Sequence, residues 1–330
     1  MESLSLACHT VAVQQPYPPL TDAYSLFQEG REAEALKIVE HHAAARDPEA
    51  VFTLGDMYWR GAGLPKNVAR ARALFEEAAS AGQPMAIRAF TNLLSNGFAG
   101  ARDWPRALAR LEDEGRTDGL RARMFGVIRA MQIDGNGDPR TIPPLKQLSE
   151  EPGVWLFERA FSAAECEFLR LLAEPTYERS LVKMEGKDVP DPIRTSDGST
   201  IHWLIEDPAT HAINRRLAAM TRTAVENGEP MQILRYRPGQ QYHPHFDWLG
   251  EANRRILTAL IYLNEDYEGG ETRFVKTGLI VKGRTGDVLL FRNIGKDGGL
   301  DPLSEHAGQP VTNGTKYLAS RWIREARYAG

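Results

Sequence analysis

Gln241-Tyr242-His243-Pro244-His245-Phe246-Asp247 is the stretch on which the reading of this chain turns. It follows the β-forming run Met231–Tyr236 after the turn pair Pro238-Gly239. Side chains two apart on an extended backbone face the same side, so His245 and Asp247 can reach one ion together. His243 shares that parity and could pair with His245 instead. The carboxylate that follows favours His245, with His243 beside the site or facing solvent. A His-x-Asp pair joined by a distant histidine makes the facial set that leaves open positions on non-haem iron. His306, in Leu303-Ser304-Glu305-His306-Ala307-Gly308, is the candidate third ligand. His41, His42, His202 and His211 lack a comparable acidic partner and are expected on the surface or in packing.

Around this stretch lie further short β-rich runs, at Ile256–Leu263, Asp287–Phe291 and Lys316–Ile323. Gly269-Gly270, Lys282-Gly283 and Asn313-Gly314 punctuate them, which predicts a sandwich or barrel. Helices are expected before them at Ser162–Ala173 and Pro208–Asn227.

The N-terminal half has another period. Glu32–Ala45 is rich in Ala and Glu, with apolar residues at helical spacing. A shift of 36 residues aligns Ala50 with Ala86, Leu54 with Phe90, Gly61 with Gly97, Arg70 with Arg106 and Ala71 with Ala107. Such a period predicts stacked helical hairpins, which can serve as a structural cap or as a surface that holds another polypeptide. The second copy departs from the first, with Thr91 in place of Gly55 and Arg110 in place of Leu74. Another helix is expected over about Thr117–Gln132, before Asp134-Gly135-Asn136-Gly137-Asp138-Pro139 interrupts regular structure. The domains expected are an irregular segment 1–20, helical repeats 21–134, a linker 135–150 and a β-rich domain 151–330.

Bulk properties exclude little. The 330 residues are 42% hydrophobic and 25% charged, ordinary for a globular protein. A net charge of −4 gives no global reason for nucleic-acid binding. Cys8 and Cys166 are too few for a disulfide framework, and Cys166 is read as a packing residue. The N-terminus lacks a secretory pattern and no apolar run is long enough to span a membrane, so a cytoplasmic protein is expected.

Residues 152–325 resemble the catalytic domain of the prolyl 4-hydroxylases. The resemblance rests on an ordered set: Arg179-Ser180-Leu181-Val182, Arg194-Thr195-Ser196, Ile233-Leu234-Arg235-Tyr236, and the His245/Asp247 motif itself. Tyr262-Leu263-Asn264, Gly269-Gly270-Glu271-Thr272, Gly286-Asp287-Val288-Leu289-Leu290-Phe291, Asp301-Pro302-Leu303-Ser304 and Gly314–Ile323 follow in order. Leu54–Leu64 and Ala71–Ala79 are similar to Sel1 repeats, relatives of the tetratricopeptide repeat. Together these imply an α+β chain, with a helical repeat domain before a double-stranded β-helix (jelly-roll) and its flanking helices.

The resemblance implies an Fe(II)- and 2-oxoglutarate-dependent dioxygenase. His245, Asp247 and His306 would be the catalytic iron ligands, with 2-oxoglutarate and O2 as cosubstrates. Ascorbate is implied by the resemblance alone. Lys316, ten residues after His306, matches the lysine that binds the distal carboxylate of 2-oxoglutarate. Tyr236 and Thr272 match hydroxyls that contact the cosubstrate, and Tyr242, Arg255 and Trp322 match positions lining the peptide groove. Tyr317, Arg292 and Arg324 depart from the family pattern and bear on the substrate. The polar loop Met184–Asp197, including Arg194, is expected as a mobile lid. The implied function is hydroxylation of a prolyl residue in a peptide or protein, docked by the repeats, with no nucleic acid or membrane partner. Two alternatives stand beside it: the same chemistry on another side chain or a small metabolite, and a repeat-based binding protein with a sensor or relic oxygenase domain.

Overall fold

The computed structural model describes residues 17–179, 181–184, 187–190 and 193–328. Cys8, most of the N-terminal segment and part of the expected lid, including Asp191 and Pro192, lie outside the described residues. The chain divides into two compact units, Met1–Ile128 with Trp203–His211, and Arg129–His202 with Ala212–Gly330. No helix among the described residues is long and apolar enough to cross a membrane.

The first unit holds α1 (Thr21–Gln28), α2 (Glu32–Ala44), α3 (Pro48–Arg60), α4 (Val68–Ser80), α5 (Pro84–Asn96), α6 (Trp104–Glu114) and the start of α7 (Gly119–Ala130). Its helix ends recur at the spacing read from sequence. Asp47 and Gln83 each accept a bond from the backbone N–H three residues on, with Pro48 and Pro84 opening the next turn. Asn67 and Asp103 cap α4 and α6 in the same way. Gly61 and Gly97 close α3 and α5 at φ 78° and 71°, a left-handed conformation that glycine adopts without strain.

The two departures in the second copy compensate each other. A Cβ on Gly55 would stand 2.8 Å from Phe75 Cε1, so that helix crossing requires glycine. At the matching position Thr91 is fully buried, donates its hydroxyl to Glu114 and accepts from Arg110 Nε at 2.9 Å. The residue that replaces Leu74 thus satisfies the hydroxyl that replaces Gly55. The unit also takes in a segment the sequence placed elsewhere. Leu204 joins its core, Asn92 and Asn96 donate to the carbonyls of Leu204 and Trp203, and the Trp203 ring stacks on Phe98 at 4.4 Å. His211 is buried in packing, with Nδ1 2.7 Å from Glu206 Oε1.

The second unit is mostly antiparallel sheet with α8 (Ala163–Ala173) and most of α9 (Pro208–Thr221). Ser162 and Glu165 form a reciprocal capping box that starts α8. α9 ends six residues before the expected Asn227, where the Thr221 hydroxyl bonds back to the Leu217 and Ala218 carbonyls and Arg222 turns to φ 55°. The strands are β1 (Leu145–Ser149), β2 (Val154–Phe157), β3 (Glu178–Arg179), β4 (Leu181–Met184), β5 (Lys187–Pro190), β6 (Asp197–Ile201), β7 (Met231–Tyr236) and β8 (Tyr242–His245). They continue as β9 (Arg255–Tyr262), β10 (Tyr267–Gly269), β11 (Thr272–Phe274), β12 (Ile280–Val281), β13 (Val288–Arg292), β14 (His306–Gly308), β15 (Val311–Gly314) and β16 (Lys316–Arg324).

An eight-stranded sheet runs β1-β2-β13-β9-β16-β7-β6-β3, and a four-stranded sheet runs β12-β11-β14-β8. β9 is buried from Thr258 on, β13 and β16 at all but one position each, and Phe274, Phe291, Tyr262, Leu289 and Leu318 belong to one core cluster.

One expectation needs correction, and another gains structural detail. The stretch 135–150 is not only a linker, because β1 lies in it and pairs with β2. As an edge strand β1 is held by backbone bonds and stays exposed, so it carries no apolar alternation to read. The stretch expected as a lid begins as the β4–β5 hairpin, with Leu181 opposite Pro190 and Met184 opposite Lys187. Its far end is fastened to β8, where Arg194 bridges to Tyr242 and His243 N–H donates to Ile193 O at 2.9 Å.

Candidate metal centre

The four-stranded sheet assembles the triad. His245 ends β8, His306 begins β14, and the two are direct register partners. Asp247 follows two residues after His245. Ligand atoms of His245, Asp247 and His306 all lie within 4.8 Å of one another. Asp247 Oδ1 is 3.7 Å from His245 Nε2, and Oδ2 is 3.7 Å from His306 Nε2. His243, the competitor read from sequence, is exposed and stands outside this group.

Both imidazoles are oriented by their own chain. His245 Nδ1 meets the His243 carbonyl at 2.8 Å, and His306 Nδ1 meets the Ser304 carbonyl at 3.0 Å. A carbonyl can only accept, so each Nδ1 carries a proton and each Nε2 is the nitrogen left to meet a metal. Burial, and then repulsion from His306, push His245 down to about 4, so its ring is neutral at physiological pH. Burial would raise Asp247, but His306, His245 and the Thr258 hydroxyl together hold its carboxyl below the usual range. Two imidazole nitrogens and one carboxylate form a donor set that suits Fe(II). Tyr242 stacks on the His245 ring at 3.5 Å, and Phe291 packs edge-on to His306 at 4.6 Å.

One cavity is lined by the triad together with Tyr236, Tyr242, Thr272, Lys316 and Trp322. The sequence-derived site residues therefore converge, with one exception. Lys316 is buried, and its ammonium donates to Gly270 O at 2.7 Å. Burial pushes this lysine down to about 8, because a charge in so dry a place is costly. Thr272 shares a hydrogen bond of 3.0 Å with the Tyr262 hydroxyl. A buried lysine and hydroxyls in the same cavity as the triad suit a small dicarboxylate that must also reach the metal.

The exception is Arg255, which is not among the residues lining the cavity. Its Nε and Nη2 donate to both carboxylate oxygens of Glu229, at 2.6 and 2.8 Å, and its guanidinium lies 4.2 Å from the centre of the Trp322 ring. Arg324 binds the same carboxylate at 2.7 Å. Of the other departures, Arg292 is exposed over Trp155, and Tyr317 lies against Arg170 in a separate surface groove. Neither lines the metal cavity. Sequence reasoning missed Glu229, Thr258 and Asn293. A lone threonine in the otherwise apolar run Ile256–Leu263 was the one local sign of them.

Known sequences and structures resemble this chain. The family model described as the 2OG-Fe(II) oxygenase superfamily matches residues 231–324. Prolyl 4-hydroxylase 1 of Arabidopsis thaliana is 35% identical over 213 residues, which is 58% of this chain and 73% of that protein. The probable prolyl 4-hydroxylase 10 of the same plant is 34% identical over 229 residues, covering 61% and 79% of the two chains. Among solved structures, a viral collagen prolyl hydroxylase from Paramecium Bursaria Chlorella virus-1, in complex with 2OG, is 25% identical. That alignment has a TM-score of 0.42 and covers 52% of this chain and 96% of the other.

Proposed function

From the premise that this chain belongs to the prolyl 4-hydroxylase family of 2OG-Fe(II) oxygenases, we propose that it hydroxylates a prolyl residue in a peptide or protein. It is a 2-oxoglutarate-dependent dioxygenase that uses Fe(II), 2-oxoglutarate and O2. One oxygen atom enters the substrate C–H bond, and the other enters succinate as 2-oxoglutarate loses CO2. Bound iron and 2-oxoglutarate supply the oxidising power. The chain's own residues bind, orient and exclude water.

The observation that carries the reading is that two imidazoles, one carboxylate and a buried lysine line one cavity. His245, Asp247 and His306 would hold Fe(II). Lys316, with Tyr236 and Thr272, would hold the distal carboxylate of 2-oxoglutarate. Tyr242 and Trp322 would form an aromatic wall suited to a proline ring. Arg255, positioned by Glu229, would offer one of its remaining N–H groups to a substrate carbonyl. The paired sheets are read as a double-stranded β-helix. The helical hairpins are read as Sel1-like repeats that dock the polypeptide substrate, which the recurring caps at 36-residue spacing support.

The test supplies purified protein with Fe(II), 2-oxoglutarate, O2 and a library of proline-containing peptides. A mass gain of one oxygen on proline, absent in His306→Ala, supports the reading. Turnover of 2-oxoglutarate with no oxidised peptide across the library moves the target to another side chain or a small metabolite. No turnover, and no visible band with anaerobic Fe(II) and 2-oxoglutarate, overturns the enzyme reading.

A further inference from the structure

Behind Asp247 lies a chain of hydrogen bonds with a single direction. Thr258 Oγ1 is 2.6 Å from Asp247 Oδ2, and Asn293 Nδ2 is 3.0 Å from Thr258 Oγ1. Thr258 is fully buried, Asn293 is 1% exposed and Asp247 4% exposed, so no solvent competes for these groups. An amide nitrogen can only donate. The Thr258 oxygen therefore accepts from Asn293, and its hydroxyl proton is left for Asp247 Oδ2.

This polarity decides which carboxylate oxygen is available. Each oxygen stands 3.7 Å from an imidazole Nε2, Oδ1 from His245 and Oδ2 from His306, but Oδ2 already carries a short bond, whereas Oδ1 has no comparable donor among the described residues. We propose that Thr258 and Asn293 are positioning residues that make Asp247 a one-oxygen ligand through Oδ1. The proposal rests on the metal-centre reading above. A carboxylate free to chelate through both oxygens would occupy a fourth coordination position. Only two would then remain for the two donor atoms of 2-oxoglutarate and for O2, which need three. A hydrogen bond on Oδ2 opposes that second metal contact, because the oxygen would have to give up its donor in a dry site.

The tertiary structure supplies both partners. Thr258 stands opposite Trp322 in the β9–β16 ladder and opposite Phe291 in the β9–β13 ladder, in the middle of the large sheet. Asn293 follows β13 directly. Its backbone N–H donates to Ile256 O at 3.0 Å, and its carbonyl accepts from Asp301 N–H at 3.1 Å. The Asp301 carbonyl in turn accepts from both N–H and hydroxyl of Ser304, whose own carbonyl orients His306. One asparagine thus connects the carboxylate ligand to the turn that presents the distant histidine.

The test compares the full chain with Thr258→Val, Thr258→Ser and Asn293→Leu. Fe(II) is titrated anaerobically in the presence of 2-oxoglutarate and followed by the visible charge-transfer band. Thermal melts without metal are run in parallel. Thr258→Val keeps the shape of the side chain but loses the donor. It is expected to raise the Fe(II) half-saturation concentration by about tenfold or more and to alter the band. Asn293→Leu is expected to act in the same direction, while Thr258→Ser stays within about twofold of the parent. Wild-type titration and band in Thr258→Val overturn the proposal. So does an equal weakening in Thr258→Ser and Thr258→Val, since the hydroxyl would then be irrelevant. Absence of any band in the parent protein would instead sink the metal-centre reading itself.

Discussion

Lys316 and Tyr236 are register partners between β16 and β7, with the lysine ammonium 5.6 Å from the centre of the tyrosine ring. Direct partners in an antiparallel ladder face the same side, so both enter the cavity that holds the triad. Lys316 is pushed down to about 8 by burial, and this gives a signed pH dependence. The charged form binds a carboxylate. The KM for 2-oxoglutarate is therefore expected to be flat below pH 8 and to rise by up to about tenfold per unit above it. Stability without cosubstrate runs the other way. The unfolded chain binds this proton more tightly, so the penalty is fully present below pH 8 and is relieved as pH climbs toward the ordinary lysine value. Initial rates at fixed O2, and urea midpoints on empty protein, over pH 7 to about 9.5 check both slopes.

Replacing Lys316 by alanine removes the cation and leaves the triad untouched. The KM for 2-oxoglutarate is expected to rise by roughly 10- to 100-fold, the scale of a lost charged hydrogen bond. Fe(II) binding without cosubstrate, read by calorimetric titration, is expected to be unchanged. A comparable loss of Fe(II) affinity would contradict the assignment of Lys316 to the carboxylate.

Glu229 neutralises two guanidiniums, those of Arg255 and Arg324. Glu229→Ala takes this partner from the buried Arg324 and the half-buried Arg255, and a loss of about 3–5 kcal/mol is expected. Urea denaturation measures it. With Arg255 no longer held over Trp322, the KM for a peptide substrate should rise while that for 2-oxoglutarate stays constant.

Tyr317 and Arg292 lie outside the metal cavity. Tyr317→Trp and Arg292→Phe, which move these positions toward the family pattern, are therefore expected to leave kcat and both KM values within about twofold. A large change in peptide preference from either one would place the groove elsewhere.

In the helical unit, Gly55→Ala would force a methyl group to within 2.8 Å of Phe75 Cε1. A loss of about 1–3 kcal/mol is expected for that unit, with no change in the anaerobic visible band. Hydrogen exchange resolved along α3 and α4 would locate the effect.

The parts of this molecule legible in its sequence are those written by local rules. β7 matches its expected bounds, and β9 and β16 match within a residue, because apolar runs between turn pairs announce a buried strand. The caps of α3 to α6 recur at 36 residues because a capping side chain bonds the backbone three residues away. His245 and Asp247 were legible for the same reason: strand parity aims both at one point. β5 and β1 were not, since backbone pairing can hold a strand that shows no apolar alternation.

His306 was named by its place in an ordered set of motifs, not by any geometric necessity. The pairing of β8 with β14 is what sets it opposite His245. Glu229, Thr258 and Asn293 became visible only in the fold. Their partners lie 26, 11 and 35 residues away on other segments. The sequence alone determined which residue types could bind a metal and a dicarboxylate. Tertiary structure decided which oxygen of Asp247 is free, which acid holds Arg255, and how dry the Lys316 pocket is. Burial and hydrogen-bond direction are properties of packed neighbours, and spacing along a chain does not encode them.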